Sequence, residues 1–207
     1  MRKSYLIIAL GLWAGTAVGQ DLSLWKKQTI DSANTALHAA YLSPEEKKIY
    51  LLINLARLDG KSFITNVLDP FVKENNTDQD EYLASLYEDL KVLPRLKPLV
   101  PNEKLHHSSS HHANDMGRNG RIGHESSDGT DLHTRIKRYH QGHTVLAENC
   151  SYGYDDALNI VMQLMIDDNR PEKKHRNVML GKQFLHMGVS IKDHKAYGAN
   201  CVMDFSD

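Results

Sequence analysis

The sequence predicts an α+β sandwich. Helical apolar spacing governs much of residues 43–117 and returns at 154–168, an extended run lies between, and two partly alternating runs across a turn close the chain. Helices before and between strands, with a hairpin last, indicate helices packed against one sheet. At 207 residues, with 41% hydrophobic and 25% charged content, the chain suits one domain with a core of ordinary size.

The first segment, "MRKSYLIIALGLWAGTAVGQ", has Arg2 and Lys3 at its start, an apolar run from Tyr5 to Val18, and small residues at Ala17 and Gly19. This is the pattern of a signal peptide, with cleavage expected near Gly19. A membrane anchor needs roughly 20 apolar residues, and this run is shorter. No cysteine stands where a lipoprotein would be acylated, and nothing else in the chain is suited to spanning a membrane, so a soluble periplasmic or extracellular monomer is expected. The division that follows is 1–19 signal peptide, 20–41 N-terminal lead-in and 42–207 main domain.

Within the lead-in, "SLWKKQTIDSANTALHAAY" has no strong period but suits a short docked helix. In "LSPEEKKIYLLINLARLDG", Ser43 is an N-cap, Pro44 fits the first helical position and Glu46 completes a capping box. Ile49, Leu52, Ile53 and Ala56 form the apolar face, and Gly60 is expected to end the helix. "DPFVKENNTDQD" reads as a turn-rich interval. An extra helix follows over Glu81 to Leu93, with Leu83, Leu86, Leu90 and Leu93 at helical spacing, closed by Pro94 and Pro98.

A third helix is expected from about Asn102 to Gly117, with Leu105, Ala113 and Met116 inward and a histidine-rich outer surface. "GRNGRIGHESSDGTD" is loop by its glycines and turn residues. "DLHTRIKRYH" reads as a short helix, "TVLAENCSYG" as extended, and "YDDALNIVMQLMIDD" as an amphipathic helix with an acidic start. "LHMGVSIKD" and "YGANCVMDF" pair as a hairpin across "DHKA".

Composition narrows function. Signal cleavage removes two cations, Arg2 and Lys3, taking the formal charge from -1 to -3, and no basic tract suits a phosphate backbone, so nucleic acid is excluded as an expected partner. The unusual quantity is 12 histidines, concentrated between His106 and His143, which raises the question of metal. Cys150 and Cys201 are an even pair in a chain bound for an oxidising compartment, which favours a disulfide; the alternative is two buried thiols.

The order and spacing of "IGHESSDG", "AENCSYG", "DDNRPEKKHRNVML", "FLHMGVSI" and "YGANCVMDF", together with "NLARLDGKSF", resemble the CAP superfamily of cysteine-rich secretory proteins, antigen 5 and plant pathogenesis-related class 1 proteins, in a bacterial secreted form. The likeness runs from Leu42 to Phe205 and implies a three-layer α/β/α sandwich, here with an extra helix between the first and second core helices. It implies a central cleft of two histidines and two acidic residues, which fall on His124, Glu148, Asp167 and His175. Asp167 stands where a glutamate is usual, and Leu164 where a tryptophan is frequent. Family members have been associated with lipid or sterol binding, signalling and defence.

Two imidazoles on separate loops can bind a divalent cation, zinc being the natural choice, while carboxylates orient ligands or water. The expected function is a non-enzymatic binding or interaction module for a metal and a small-molecule, lipid or peptide ligand. The rival is a peptidase-like hydrolase in which Glu148 activates a metal-bound water. A third reading makes the cleft vestigial and the loops a protein-binding surface. Each residue alone also has a plainer role: His124 can bond a turn, Glu148 can cap amides, and Asp167, Asp168 and Asp156 can be surface charges. His107 and His111, four apart on a helix, have chelating geometry but lack the glutamate of an HExxH motif, and read as a solvated face. Ser126 and Ser127 lack a nucleophile elbow, and "SSDG" lacks the acidic density of a calcium loop.

Overall fold

The computed structural model describes residues 22–77, 80–142, 145–168 and 170–207. The expected signal peptide lies outside these. Helix α1 (Lys27–Ala33) precedes the long α2 (Pro44–Leu58), whose start has the predicted chemistry: Ser43 accepts from the Glu46 amide, and Glu46 returns a carboxylate to the Ser43 amide. The second oxygen of Glu46 accepts from the Ile191 amide at 2.9 Å, so one capping residue also ties the helix to the sheet.

Gly60 does not end the helical region. Asp59 closes α2 and at once caps α3 (Gly60–Phe63) through the Ser62 amide, after which a π-helical stretch (Ile64–Leu68) leads into α4 (Asp69–Asn75). The interval read as turn is therefore partly helical. Pro70 causes no break because it lies in the first turn of α4, where a missing amide costs nothing. The expected extra helix is α5 (Glu81–Val92), with Leu83, Leu86 and Leu90 fully buried.

The second half supplies α6 (Glu103–Asn119), α7 (Leu132–Tyr139), α8 (Ala157–Ile166) and α9 (Lys174–Met179). The strands are β1 (Val100–Pro101), β2 (Leu146–Tyr152), β3 (His186–His194) and β4 (Gly198–Ser206), in the spatial order β1-β3-β4-β2. The closing hairpin forms as expected, β3 pairing antiparallel with β4, and β2 pairs antiparallel with the outer side of β4.

Helix α6 covers one face of this sheet, and α2 and α8 cover the other. The α6 layer lies at touching distance. A Cβ at Gly188 would come within 2.1 Å of the Leu105 backbone, and one at Gly117 within 2.1 Å of the Asp193 carbonyl oxygen. The large apolar core is on the α2 and α8 side, and Trp25, Ala33 and Ala36 of the lead-in belong to it. Buried Arg57 at the end of α2 spends its donors on the carbonyls of Lys97, Met179, Gly181 and Phe184, and burial lowers its pKa to about 10.

Two sequence expectations are corrected here. His106 and His112 are inside, not on an outer histidine surface, because each ring has a carbonyl of the fold to bond: His106 Nδ1 lies 2.7 Å from the Val189 oxygen and His112 Nε2 2.9 Å from the Gly123 oxygen. Cys150 and Cys201 are both free thiols. Register gives the reason. Cys150 stands opposite Val202 and Ser151 opposite Cys201, so the two sulfurs leave the sheet on opposite faces and cannot meet.

Candidate functional site

The site is built on the edge strand β2. Alternation sends Glu148, Cys150 and Tyr152 towards α6, while Asn149 and Ser151 face the other way, Asn149 bonding the His175 carbonyl at 3.0 Å and Ser151 bonding Gln163. One strand therefore presents side chains to two corners.

The first corner is the loop after α6. Gly123, in a left-handed conformation at φ 117°, donates its amide to Tyr152 Oη at 2.9 Å and accepts from His112. This holds the adjacent His124, whose Nδ1 lies 2.9 Å from Glu148 Oε1. Arg135 of α7 pairs with Glu148 Oε2 and also donates to the His124 carbonyl (2.9 Å) and Ser126 Oγ (3.2 Å), so one guanidinium fixes strand, loop and helix together. Ser126 is thus a buried acceptor and Ser127 donates to Asp115; neither is arranged with a base as a nucleophile.

The second corner lies between α8 and α9. Asp167 caps α8 in a left-handed conformation (φ 57°), which its short polar side chain tolerates better than most. Its Oδ2 accepts from the His175 amide at 2.9 Å, and its Oδ1 lies 2.7 Å from His175 Nδ1. The shorter acid is suited to this place, one residue past the helix and close to the backbone it must reach. Next in chain, buried Arg176 bonds the carbonyls of Met165, Ile166 and Tyr82 and the side chains of Ser85 and Asp89, bolting α5 to this corner.

His124 and His175 line one cleft of about 900 Å³ together with Tyr152 and Asp167. Phe71, Asn75, Thr77 and Asp80, from the end of α4 and the approach to α5, also line it, so the inserted segment is a wall of the cleft. A neighbouring hollow of about 640 Å³ again includes both histidines and adds Glu148 and Asn149.

Behind the first corner the α6 side of the sheet is charged. Glu148 is the cross-strand neighbour of Asp204, and a single guanidinium, Arg135, serves both. Burial, and then the Glu148 charge, push Asp204 well above the ordinary carboxyl range, which makes it the protonated member. Burial works against Glu148 too, but the His124 hydrogen bond and the Arg135 charge outweigh it and hold its pKa low. Asp167 is held low in the same manner by His175. Desolvation lowers His112, so its ring is neutral; its Nε2 hydrogen serves the Gly123 carbonyl, and its Nδ1 is buried without a partner among the described residues.

Among the described residues, His112, Glu148 and Cys150 bring ligand-type atoms within 4.8 Å of one another. A cation there would face the Arg135 guanidinium already on Glu148, and a thiol whose pKa burial drives well above its usual value. That group is therefore poorly matched to a metal. His124 and His175 are better matched. A carboxylate only accepts, so each ring gives its Nδ1 hydrogen to an acid and keeps a lone pair on Nε2, the arrangement common behind metal-bound histidines.

The structure brings His124 onto Glu148 and His175 onto Asp167, and puts both histidines on one cleft. The family model of cysteine-rich secretory proteins matches residues 94–205, more than half of the chain, and takes in all four. The chain belongs to the CAP family. Solved structures similar to this CAP protein include an outer surface protein of Borrelia burgdorferi (21% identity, covering 63% of this chain and 96% of that one, TM-score 0.47). Others are an extracellular SCP-domain protein of Bacillus anthracis (18%, 80% and 44%, 0.49) and a cysteine-rich secretory protein of Staphylococcus aureus (22%, 63% and 40%, 0.43). The CAP chain spans less than half the length of the last two. No curated relative matches it. No helix among its described residues is long and apolar enough to cross a membrane.

Sequence reasoning missed Arg135, His112, Asp204 and Arg176. Asp204 alone left a readable sign, an acid inside the apolar run "CVMDF". The others sit in polar helices where a buried charge looks like a solvated one.

Proposed function

We propose that this is a secreted CAP-domain binding protein whose cleft takes zinc on His124 and His175 and, beside it, a small-molecule, lipid or peptide ligand. The observation that carries the reading is the pair of carboxylate-to-imidazole contacts, 2.9 Å at His124 and 2.7 Å at His175, which orient both rings and leave both Nε2 atoms as donors. His175 is 13% exposed and His124 52% exposed at the side chain, so the first ligand is sheltered and the second open to solvent. Bound zinc would supply a Lewis-acidic site for an oxygen or nitrogen of the ligand. Glu148 and Asp167 hold the rings, and the α4 to α5 wall adds Phe71 as an apolar contact. The signal-peptide pattern of residues 1–19 supports export.

The same geometry argues against the hydrolase alternative. A general base needs a free oxygen, and Glu148 has given one to His124 and the other to Arg135 while only 6% exposed. Its low pKa also makes it a weak proton acceptor. The reading is tested by calorimetric titration of the metal-stripped protein with Zn²⁺ at pH 7.5. A binding phase should be present in wild type and absent from His124→Ala/His175→Ala. Persistence of every phase in that variant would overturn it, and zinc-dependent turnover of a peptide or ester that Glu148→Gln abolishes would restore the enzyme.

A further inference from the structure

Most of the described histidines are committed. The rings of His106, His112, His124, His140, His175 and His194 each hold a hydrogen bond to a carbonyl, a carboxylate or a hydroxyl. His107 and His111 differ. Both are exposed on α6; the His107 ring lies near that of His106 at a centroid distance of 6.0 Å, and the His111 ring near that of Tyr139 at 6.1 Å. The ring nitrogens of both make no hydrogen bond to another described residue, and the Asp128 carboxylate lies near His111.

Residues four apart on a helix hold their Cβ atoms about 5–6 Å apart on one face, a spacing at which two imidazoles can grip one ion. The backbone between them is unusually well held. His106, next to His107, is tied to the Val189 carbonyl, and His112, next to His111, is tied to the Gly123 carbonyl. The pair is bracketed by two buried anchors, and α6 itself lies against β3 and β4 without room for even a Cβ at Gly188. A chelate formed here therefore orders only side-chain torsions, not the helix.

We propose that His107 and His111 form a second, bidentate site for a first-row divalent cation on the outer face of α6, independent of the cleft. Two neutral nitrogens with open positions for water suit Cu²⁺ best, then Ni²⁺ and Zn²⁺. The sequence pattern alone reads as a solvated face; the uncommitted nitrogens and the anchored backbone are what change the reading.

The test uses the full mature chain and Cu²⁺ as probe, titrated at pH 7.5 into wild type, His107→Ala, His111→Ala and His124→Ala/His175→Ala. Each α6 variant should lose at least about tenfold in Cu²⁺ affinity at one site, because losing one arm removes the effective concentration of the other. The paramagnetic resonance spectrum of that site should pass from two coupled nitrogens to one. The cleft double variant should keep the site intact. Unchanged affinity in either α6 variant, or loss of the site in the cleft variant, overturns the proposal.

Discussion

The face of the sheet turned towards α2 and α8 carries Met187, Val189, Cys201, Met203 and Phe205, and the face turned towards α6 carries Glu148, Ser190, Asn200, Asp204 and Ser206. Both sets are buried. The first sits in a large apolar cluster, while the apolar cluster on the second is reduced to Ala113, Cys150 and Val202 with Tyr152 beside them. All the buried side-chain atoms without a hydrogen-bond partner among the described residues, from Ser108, His112, Arg135, Ser190, Asn200 and Asp204, lie on the α6 side. One face is thus held by transfer of hydrocarbon from water, and the other by how well charges and dipoles are matched. Glu148 and His124 rest on the second.

The sharpest way to break this contrast is Arg135→Ala, which strips the shared guanidinium from two buried carboxyl groups. A loss of about 3–5 kcal/mol is expected in urea unfolding, and a much smaller loss would mean that the charges of the α6 face are not interdependent. Next in size is Met203→Ala on the apolar face, expected to cost about 2–4 kcal/mol through lost transfer and an unfilled cavity. The two losses should differ in pH dependence, the first varying with pH and the second not. The smallest effect is Asp204→Asn. Because the folded pKa of Asp204 is raised, its contribution is favourable below the ordinary carboxyl value and is lost as pH climbs through that value towards the folded one. An amide has no such proton to lose, so this variant should match or exceed wild-type thermal stability at pH 7 and fall behind it only in acid. A clear loss at pH 7 would mean that Asp204 is ionised.

The apolar face was the legible one. Ile49, Leu52, Ile53 and Ala56 of α2, the leucines of α5 and the closing hairpin follow periods of 3.6 and 2 that hydrophobicity alone reveals. The site was legible only as four separate residues, through the family likeness. Its supports were not, because a buried arginine and an exposed one have the same letter. The disulfide failed for a related reason: export and an even count say that cysteines can pair, but parity along β2 and β4 decides whether they face each other. Helix α4 was hidden by Pro70 and by a polar surface that gives no period.

Arg176 links two parts of the chain that lie far apart in sequence, the Ser85–Asp89 stretch of α5 and the Met165–Ile166 end of α8. Pulling either part away leaves a buried cation short of acceptors, so neither opens alone at low cost. The insertion and the His175 corner therefore constitute one cooperative unit of local unfolding. A ligand that steadies the corner will slow amide exchange along α5, in a helix it does not touch.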